Sequence, residues 1–395
     1  MKRILIVNMH YKTGGVRKSF ENLVNFYSKD NSVDIQFFLD PQTSIDFLKN
    51  HNTTVLKPLF LLDTYYSSKT DIDKKSFRLL RYFLKVIMRL FRYIWGSEKL
   101  IQFIINRYPS SKEYDVAIAF SHDIRINGVF SGGCNYFVSH QVKAKKKYAW
   151  IHGEVENIGL DYEAAIKTYS SFDKVINVSR ACNDSFQILS KGQIKSEFIY
   201  NLFDLNEIYK KSSEPVDDYV SNMFTFVTVA RIHPVKRIDK LLAVSKNLYD
   251  KGYSFQWYVV GGGNLLESYK QEATQLGIDR VVHFVGNQSN PYKFISNANV
   301  FVLLSDSESF SIVINEALII GVPVVTTNFP AAYESVHDGV NGFIVDKSFD
   351  AMNECLEFCL KNKAHIENMK RIIGNESWGE KLVNDSENKL LGLIS

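Results

Sequence analysis

Two glutamates stand eight positions apart in the run Glu308-Ser-Phe-Ser-Ile-Val-Ile-Asn-Glu316-Ala-Leu-Ile-Ile-Gly321-Val-Pro323. A buried-strand pattern at 300–304 precedes them. Ser305-Asp306-Ser307 supplies turn and helix-start residues, and 309–320 reads as a helix closed by Gly321. Unpaired backbone N–H groups at a helix start suit a polar or anionic ligand. Two carboxylates so placed address different parts of one extended ligand, one holding sugar hydroxyls and the other a ribose diol. Alone, the same pair also reads as a capping carboxylate and an exposed helical Glu.

A second constellation is Val229-Ala-Arg231-Ile-His-Pro-Val-Lys236-Arg-Ile-Asp239. A strand pattern ends at Ala230, and a helix is expected to begin near Lys236. Arg231 and Lys236 then converge on the loop between them, where a guanidinium and an ammonium stabilise charge developing on a departing diphosphate. A third is Lys12-Thr-Gly14-Gly15, between a first strand and a helix expected over 18–27. Gly14 and Gly15 let backbone approach a phosphate or sugar. The spacing fits neither the dinucleotide fingerprint nor the Walker pattern. Asp71-Ile-Asp73 forms a D-x-D pair far from these residues and reads as coincidence. His152, alone, reads most simply as structural.

The elements that must position these groups are legible as short apolar runs. Strands are expected at 4–9, 35–39, 116–120, 148–152, 174–178 and 198–201, then at 224–230, 256–260, 281–285, 300–304, 322–326 and 343–345. Continuous apolar strands alternating with helices give an α/β fold of parallel sheets covered on both faces, with ligands at the carboxyl ends of strands. A chain of 395 residues fits two such domains, and the polar stretch 210–218 reads as a linker. The N-terminal apolar run reads as a first strand and not a signal peptide, and no stretch is long and apolar enough for a transmembrane helix. A net charge of +4 is too small to argue for nucleic acid. The four cysteines lack zinc spacing and suggest a reducing compartment; Cys355 and Cys359 sit one helical turn apart.

Residues 74–95 differ in kind. Lys74, Arg78, Arg81, Lys85, Arg89 and Arg92 recur at three- and four-residue steps amid large apolar residues, which places the cations along one side of a helix. Such a helix is expected to lie on an anionic membrane surface, the alternative being cations snorkelling over the domain core. The basic cluster 143–147 points the same way.

The first stretch resembles the E-x7-E signature of the retaining glycosyltransferases of family 4, together with its Glu-Ala-Leu and Gly-x-Pro-Val tail. The second resembles the family's G-R-L-x-x-x-K-G-x-D motif, with Ala230 and Arg237 where glycines are usual. Matches are dense from about 147 to 345 and sparse before. The resemblance implies a GT-B fold, two Rossmann-like doubly wound domains facing a deep cleft. It implies an acceptor-binding domain over 1–205 that includes the basic segment 74–95, a donor-binding domain over 206–375, and a C-terminal helix over 376–395 crossing back to the first domain. It assigns Glu308 to the donor sugar, Glu316 to the ribose, Arg231 and Lys236 to the diphosphate, and His152 to the sugar's vicinity. The backbone of Ser309, Phe310 and Ser311 is assigned to sugar hydroxyls, although the family usually has Gly-Phe-Gly there. Gly14, Gly15 and Gly262 are assigned to donor-facing turns.

The resemblance further implies retaining transfer of a hexose or N-acetylhexosamine from a nucleotide-diphosphate sugar, a UDP-sugar in the first instance. The acceptor is expected to be a polyprenyl-diphosphate-linked saccharide in capsule, O-antigen or exopolysaccharide synthesis, at the cytoplasmic face of the plasma membrane. The leaving phosphate itself helps deprotonate the acceptor, so neither a carboxylate nucleophile nor an essential metal or other cofactor is expected. The rivals are an epimerase or phosphorylase on the same fold, or a catalytically silent membrane-surface scaffold.

Overall fold

The computed structural model describes residues 1–11, 14–41, 52–216 and 223–395. Its contacts divide the chain into two units, Met1–Leu202 with Ser386–Ser395, and Phe203–Asp385.

The first unit holds β1 (Arg3–Asn8), β2 (Ser32–Phe37), β3 (Thr53–Val55), β4 (Glu113–Ala119), a small antiparallel hairpin of β5 (Ile124–Ile126) and β6 (Val129–Ser131), then β7 (Lys143–Ile151), β8 (Lys174–Asn177) and β9 (Ser196–Phe198). Apart from the hairpin, these strands form one parallel sheet in the order β3-β2-β1-β4-β7-β8-β9. In β1 every residue after Arg3 is buried. That explains the unbroken apolar run, because a parallel strand is covered on both faces. The second sheet contains β10 (Phe224–Val229), β11 (Phe255–Val260), β12 (Val282–Gly286), β13 (Val300–Leu303), β14 (Val324–Thr327) and β15 (Gly342–Val345), ordered β12-β11-β10-β13-β14-β15 and parallel throughout.

In each sheet the strand order reverses about one point, between β1 and β4 in the first and between β10 and β13 in the second. Ligands of such sheets bind outside the carboxyl ends at that point. Every strand expected from the sequence is present within a few residues; β3 and the hairpin were not expected.

In the first unit, helix α1 (Gly15–Ser28) comes after β1, while α2 (Phe60–Tyr66) and α3 (Arg78–Trp95) lie in the long connection between β3 and β4. The stretch 210–218 is not simply a linker. Helix α4 (Leu205–Ser212) runs into it, started by the Asp204 carboxylate accepting from the Glu207 N–H at 3.0 Å, and that cap outweighs the polar composition. Residues 217 and 218 lie outside the described residues. Helix α5 (Ile238–Asp250) comes after β10, and α6 (Ile312–Ile320) after β13. Helix α7 (Trp378–Ile394) closes the chain. Its last residues pack with the first unit, where the Tyr27 and Tyr148 hydroxyls donate to the carbonyls of Leu390 and Leu393 at 3.1 and 2.8 Å.

A candidate anion and sugar site at the ends of two strands

The second unit brings the two strongest sequence constellations together. The Lys236 ammonium donates to Glu308 Oε1, and the Ser305 hydroxyl donates to the same oxygen at 2.7 Å. The backbone N–H of Asp306 donates to the Val235 carbonyl at 2.8 Å, stitching the loop after β10 to the loop after β13. Arg237 completes the clasp, binding Asp239 at 2.7 Å and Asp306 at 3.2 Å. Strands β10 and β13 are sheet neighbours, Phe226 beside Val300, so residues 72 positions apart in sequence meet. The Lys236 and Glu308 side chains are 18% and 13% exposed, covered enough to strengthen the attraction and open enough for a ligand to reach them.

Here the structure corrects the sequence reading. The helix carrying Glu316 starts at Ile312, not Ser309, so Glu316 lies little more than one turn inside it. Ser305–Ser307 is loop, and Asp306 serves as an Arg237 partner and not as a helix start. After β10 a short 3-10 turn, Pro234–Lys236, precedes α5, which begins at Ile238. The physical reason is shared. Ser311 (φ 49°) and Arg237 (φ 52°) both take the left-handed conformation just before their helices, which interrupts helical hydrogen bonding there. In the resembled family both positions are usually glycine. A left-handed residue with a Cβ costs about 1–2 kcal/mol. At Arg237 the two carboxylates offset that cost. At Ser311 nothing visible does, because its buried hydroxyl has no hydrogen-bond partner among the described residues.

Glu316 is 6% exposed and accepts a hydrogen bond from the Tyr292 hydroxyl at 2.9 Å. Burial and the Glu316 charge push the Tyr292 phenol far above its ordinary range, so it stays a donor. Tyr292 was not flagged from sequence. It lies 24 residues away with no spacing signal, and only the packing of its helix reveals it. Phe310 is buried and Ser309 half-buried. Arg231 lies just beyond β10, is exposed, and forms no ion pair among the described residues. Gly262 sits beside it, its carbonyl accepting from the Ile232 N–H at 2.9 Å. Flanking Gly261 and Gly263 are required because a Cβ there would stand 1.9 and 2.1 Å from the carbonyl oxygens of Ala230 and Ile232.

In the first unit Gly14 and Gly15 open α1 at the carboxyl end of β1, Gly14 at φ 128°. Lys12 and Thr13 lie outside the described residues. His152 lies just beyond β7, buried, its ring 4.4 Å from that of Phe120 and its backbone N–H donating to His122 Nδ1 at 3.2 Å. Burial, aided by His122, pushes its pKa down to about 3, so the imidazole is neutral in ordinary buffers. His152 therefore cannot serve as a cation there.

The basic segment also needs correction. Helix α3 begins at Arg78, so Lys74 lies before it. Arg81 is buried, bound to Asp63 at 2.8 Å, and Lys85 donates to the Ser67 carbonyl. Thus part of the cationic stripe faces the fold, and Leu79, Phe83, Val86, Leu90, Tyr93 and Ile94 face outward. Within 143–147, Lys143, Lys145 and Lys146 are paired across the strands with Glu113, Asp115 and Asp173 at 3.8, 2.7 and 3.5 Å, so that cluster is no free basic patch. Asp71 belongs to a helix-start box with Ser68, and Asp73 accepts from the Tyr82 hydroxyl at 2.8 Å. Among the described residues no His, Cys, Asp and Glu group could hold a metal, and no helix is long and apolar enough to cross a membrane.

Residues 214–376 match the family model described as glycosyl transferases group 1. The capsular polysaccharide biosynthesis glycosyltransferase CapM of Staphylococcus aureus is 30% identical over 224 residues, covering 56% of each chain. The O-antigen biosynthesis glycosyltransferase WclY of Escherichia coli is 24% identical over 206 residues, covering 49% of this chain and 54% of its own. The chain thus spans about half the length of the curated relatives it matches. Among solved structures, Anabaena Alr3699/HepE in complex with UDP and glucose covers the full length of both chains with a TM-score of 0.69 at 17% identity. S. aureus TarM, in complex with Fondaparinux, alpha-GlcNAc-glycerol and UDP, does so with 0.68 at 14%. These likenesses establish the GT-B fold.

Proposed function

We propose, from the match of residues 214–376 to the glycosyl transferases of group 1, that this chain transfers a hexose or N-acetylhexosamine from a UDP-sugar to a lipid-linked saccharide, with retention at the anomeric carbon. The observation that carries the reading is the Lys236–Glu308 pair held by the stitched loops after β10 and β13. As the sugar–phosphate bond breaks, negative charge grows on the diphosphate. Lys236, held in place beforehand, and exposed Arg231 are the groups that take it up, and preorganised charge of this kind is the largest single contribution in many enzymes. Glu308, fixed by Lys236 and Ser305, is positioned to hold sugar hydroxyls. Glu316, oriented by Tyr292, takes the ribose diol. In this reading the backbone of Ser309, Phe310 and Ser311 donates to the sugar hydroxyls, and the left-handed backbone and buried hydroxyl at Ser311 are the features that a bound donor would account for. His152 acts as a neutral hydrogen-bonding group. Neighbours solved with UDP support the choice of nucleotide. The relatives' names support a role in capsule or O-antigen synthesis, and the outward apolar face of α3 supports a membrane-borne acceptor and a peripheral location at the inner face of the plasma membrane.

The test is a panel of UDP- and GDP-sugars incubated with the protein and a polyprenyl-diphosphate saccharide, with the product's anomeric configuration read by NMR. Transfer with retention from a UDP-sugar is expected. Inverted product, or epimerised donor without transfer, overturns the reading.

A further inference from the structure

A cavity of about 470 Å³ lies within the first unit, where α2 ends against α3 and the β5–β6 hairpin. That size falls within the roughly 300–1,000 Å³ of small-molecule sites. Lys85, Arg89 and Arg92 line it, and among the described residues no carboxylate does. The three cations stand four and three residues apart, so they share one face of α3. The nearby Asp63 is already bound by Lys75 and Arg81. Arg89 and Arg92 form no ion pair among the described residues, and burial together with the Arg89 charge pulls the Lys85 ammonium below its ordinary pKa. With no carboxylate on Arg89 or Arg92 among the described residues, the site is short of negative charge. The opposite wall is fixed, the Tyr66 hydroxyl donating to the Gly132 carbonyl at 2.7 Å and the Phe130 N–H to Ser97 Oγ at 2.9 Å. On its outer side the same helix exposes an apolar face, with Leu79 79% and Tyr93 92% accessible. Monomeric proteins rarely expose so much contiguous apolar surface without a partner.

We propose that this cavity binds the phosphate or diphosphate of a membrane lipid, whose chains cover the outer face of α3. The charge requires an anion, and the adjoining apolar face requires that the anion be attached to something that leaves water. A free nucleotide meets only the first demand. The inference deepens the lipid-linked acceptor reading above and rests on it for the identity of the lipid, while its test uses no donor sugar.

The experiment is co-sedimentation of the full chain with vesicles of phosphatidylcholine alone, phosphatidylcholine with phosphatidylglycerol, and phosphatidylcholine with polyprenyl diphosphate. The wild type is expected to bind only the vesicles that contain a net-anionic lipid phosphate, phosphatidylglycerol or polyprenyl diphosphate, and not phosphatidylcholine alone. Binding that needs polyprenyl diphosphate identifies the acceptor, and phosphatidylglycerol sufficing identifies a bulk lipid. Two double variants of equal net charge decide whether the cavity matters. Arg89→Gln with Arg92→Gln is expected to weaken binding more than tenfold beyond Lys74→Gln with Arg78→Gln, whose side chains are exposed outside the cavity. Diffuse attraction instead contributes about 1 kcal/mol for each cation near the surface, about fivefold, wherever it sits. Equal losses in the two variants, or binding to plain phosphatidylcholine alone, overturn the proposal. Circular dichroism on both variants establishes that each is folded. A vesicle-binding chain that transfers no sugar, or a transferring chain that binds no vesicle, separates failure of the enzyme reading from failure of this one.

Discussion

Replacing Ser311 should make the ligand-free protein more stable. Its φ of 49° carries a left-handed cost of about 1–2 kcal/mol for a residue with a Cβ. Its buried hydroxyl, unpaired among the described residues, adds a desolvation cost of about 1–3 kcal/mol. Ser311→Gly removes both and adds back about 0.5–1 kcal/mol of backbone entropy, for a net gain of about 1–4 kcal/mol. Ser311→Ala removes only the hydroxyl and keeps the strain, so glycine should exceed alanine by about 0.5–1 kcal/mol. For a unit of this size each kcal/mol moves the melting midpoint by about 2–4 °C. The assay is thermal unfolding tracked by circular dichroism, with urea unfolding as a second measure, and the expected order is Gly, then Ala, then Ser. If the hydroxyl is kept for the donor, both substitutions also weaken UDP-sugar binding, by up to about tenfold for one lost neutral hydrogen bond. A wild type more stable than both variants refutes the reasoning, because it requires the serine to be relaxed and satisfied as it stands.

The same geometry leads to other expectations. Arg237 is left-handed but clasped, so Arg237→Gly should stay within about 1 kcal/mol of wild type while Arg237→Ala falls about 1–2 kcal/mol below it; equal midpoints for the two variants would remove the backbone argument. Arg81→Met leaves the Asp63 carboxylate, 3% exposed, with Lys75 alone, and should destabilise the first unit by about 2–4 kcal/mol in urea unfolding. Loss of vesicle binding in that variant therefore reports on folding, and a fully stable Arg81→Met protein would contradict the buried assignment. His152 has a folded pKa of about 3 against roughly 6.5 unfolded, so the unfolded chain binds the extra proton between these values. Its contribution is complete above about pH 6.5 and is lost as pH falls toward 3, at up to about 1.4 kcal/mol per pH unit. His152→Gln should flatten that slope, and an unchanged slope in pH-dependent unfolding would show that the imidazole is not held neutral.

The sheets were readable because each parallel strand is buried on both faces and must be apolar along its length, as β1 and β11 are. The edge strand Thr53–Val55 is short and half-buried, and carries no such signature. Glu308 and Lys236 were each readable from their own motifs, but their pairing follows only from β10 and β13 being neighbours in the sheet. Tyr292 and Asp306 were not readable, since their roles exist only once separate loops meet at the ends of neighbouring strands. Helix starts were misplaced for a conformational reason. Serine and arginine give no sign of a left-handed backbone, and the break before each helix depends on one. The basic segment misled in orientation. Its spacing put Lys85, Arg89 and Arg92 along one side of the helix, but Lys74 lies before the helix, and spacing alone cannot tell which face turns inward, where Arg81 goes with Asp63.

The most direct test of the central claim is calorimetric titration of the protein with UDP, UDP-sugars and GDP-sugars, repeated with Lys236→Met. Saturable binding of UDP or a UDP-sugar, weakened at least tenfold in Lys236→Met, is the predicted result. Nucleotide that fails to bind the wild type, or that binds Lys236→Met equally well, contradicts the claim that the loops after β10 and β13 hold the departing diphosphate.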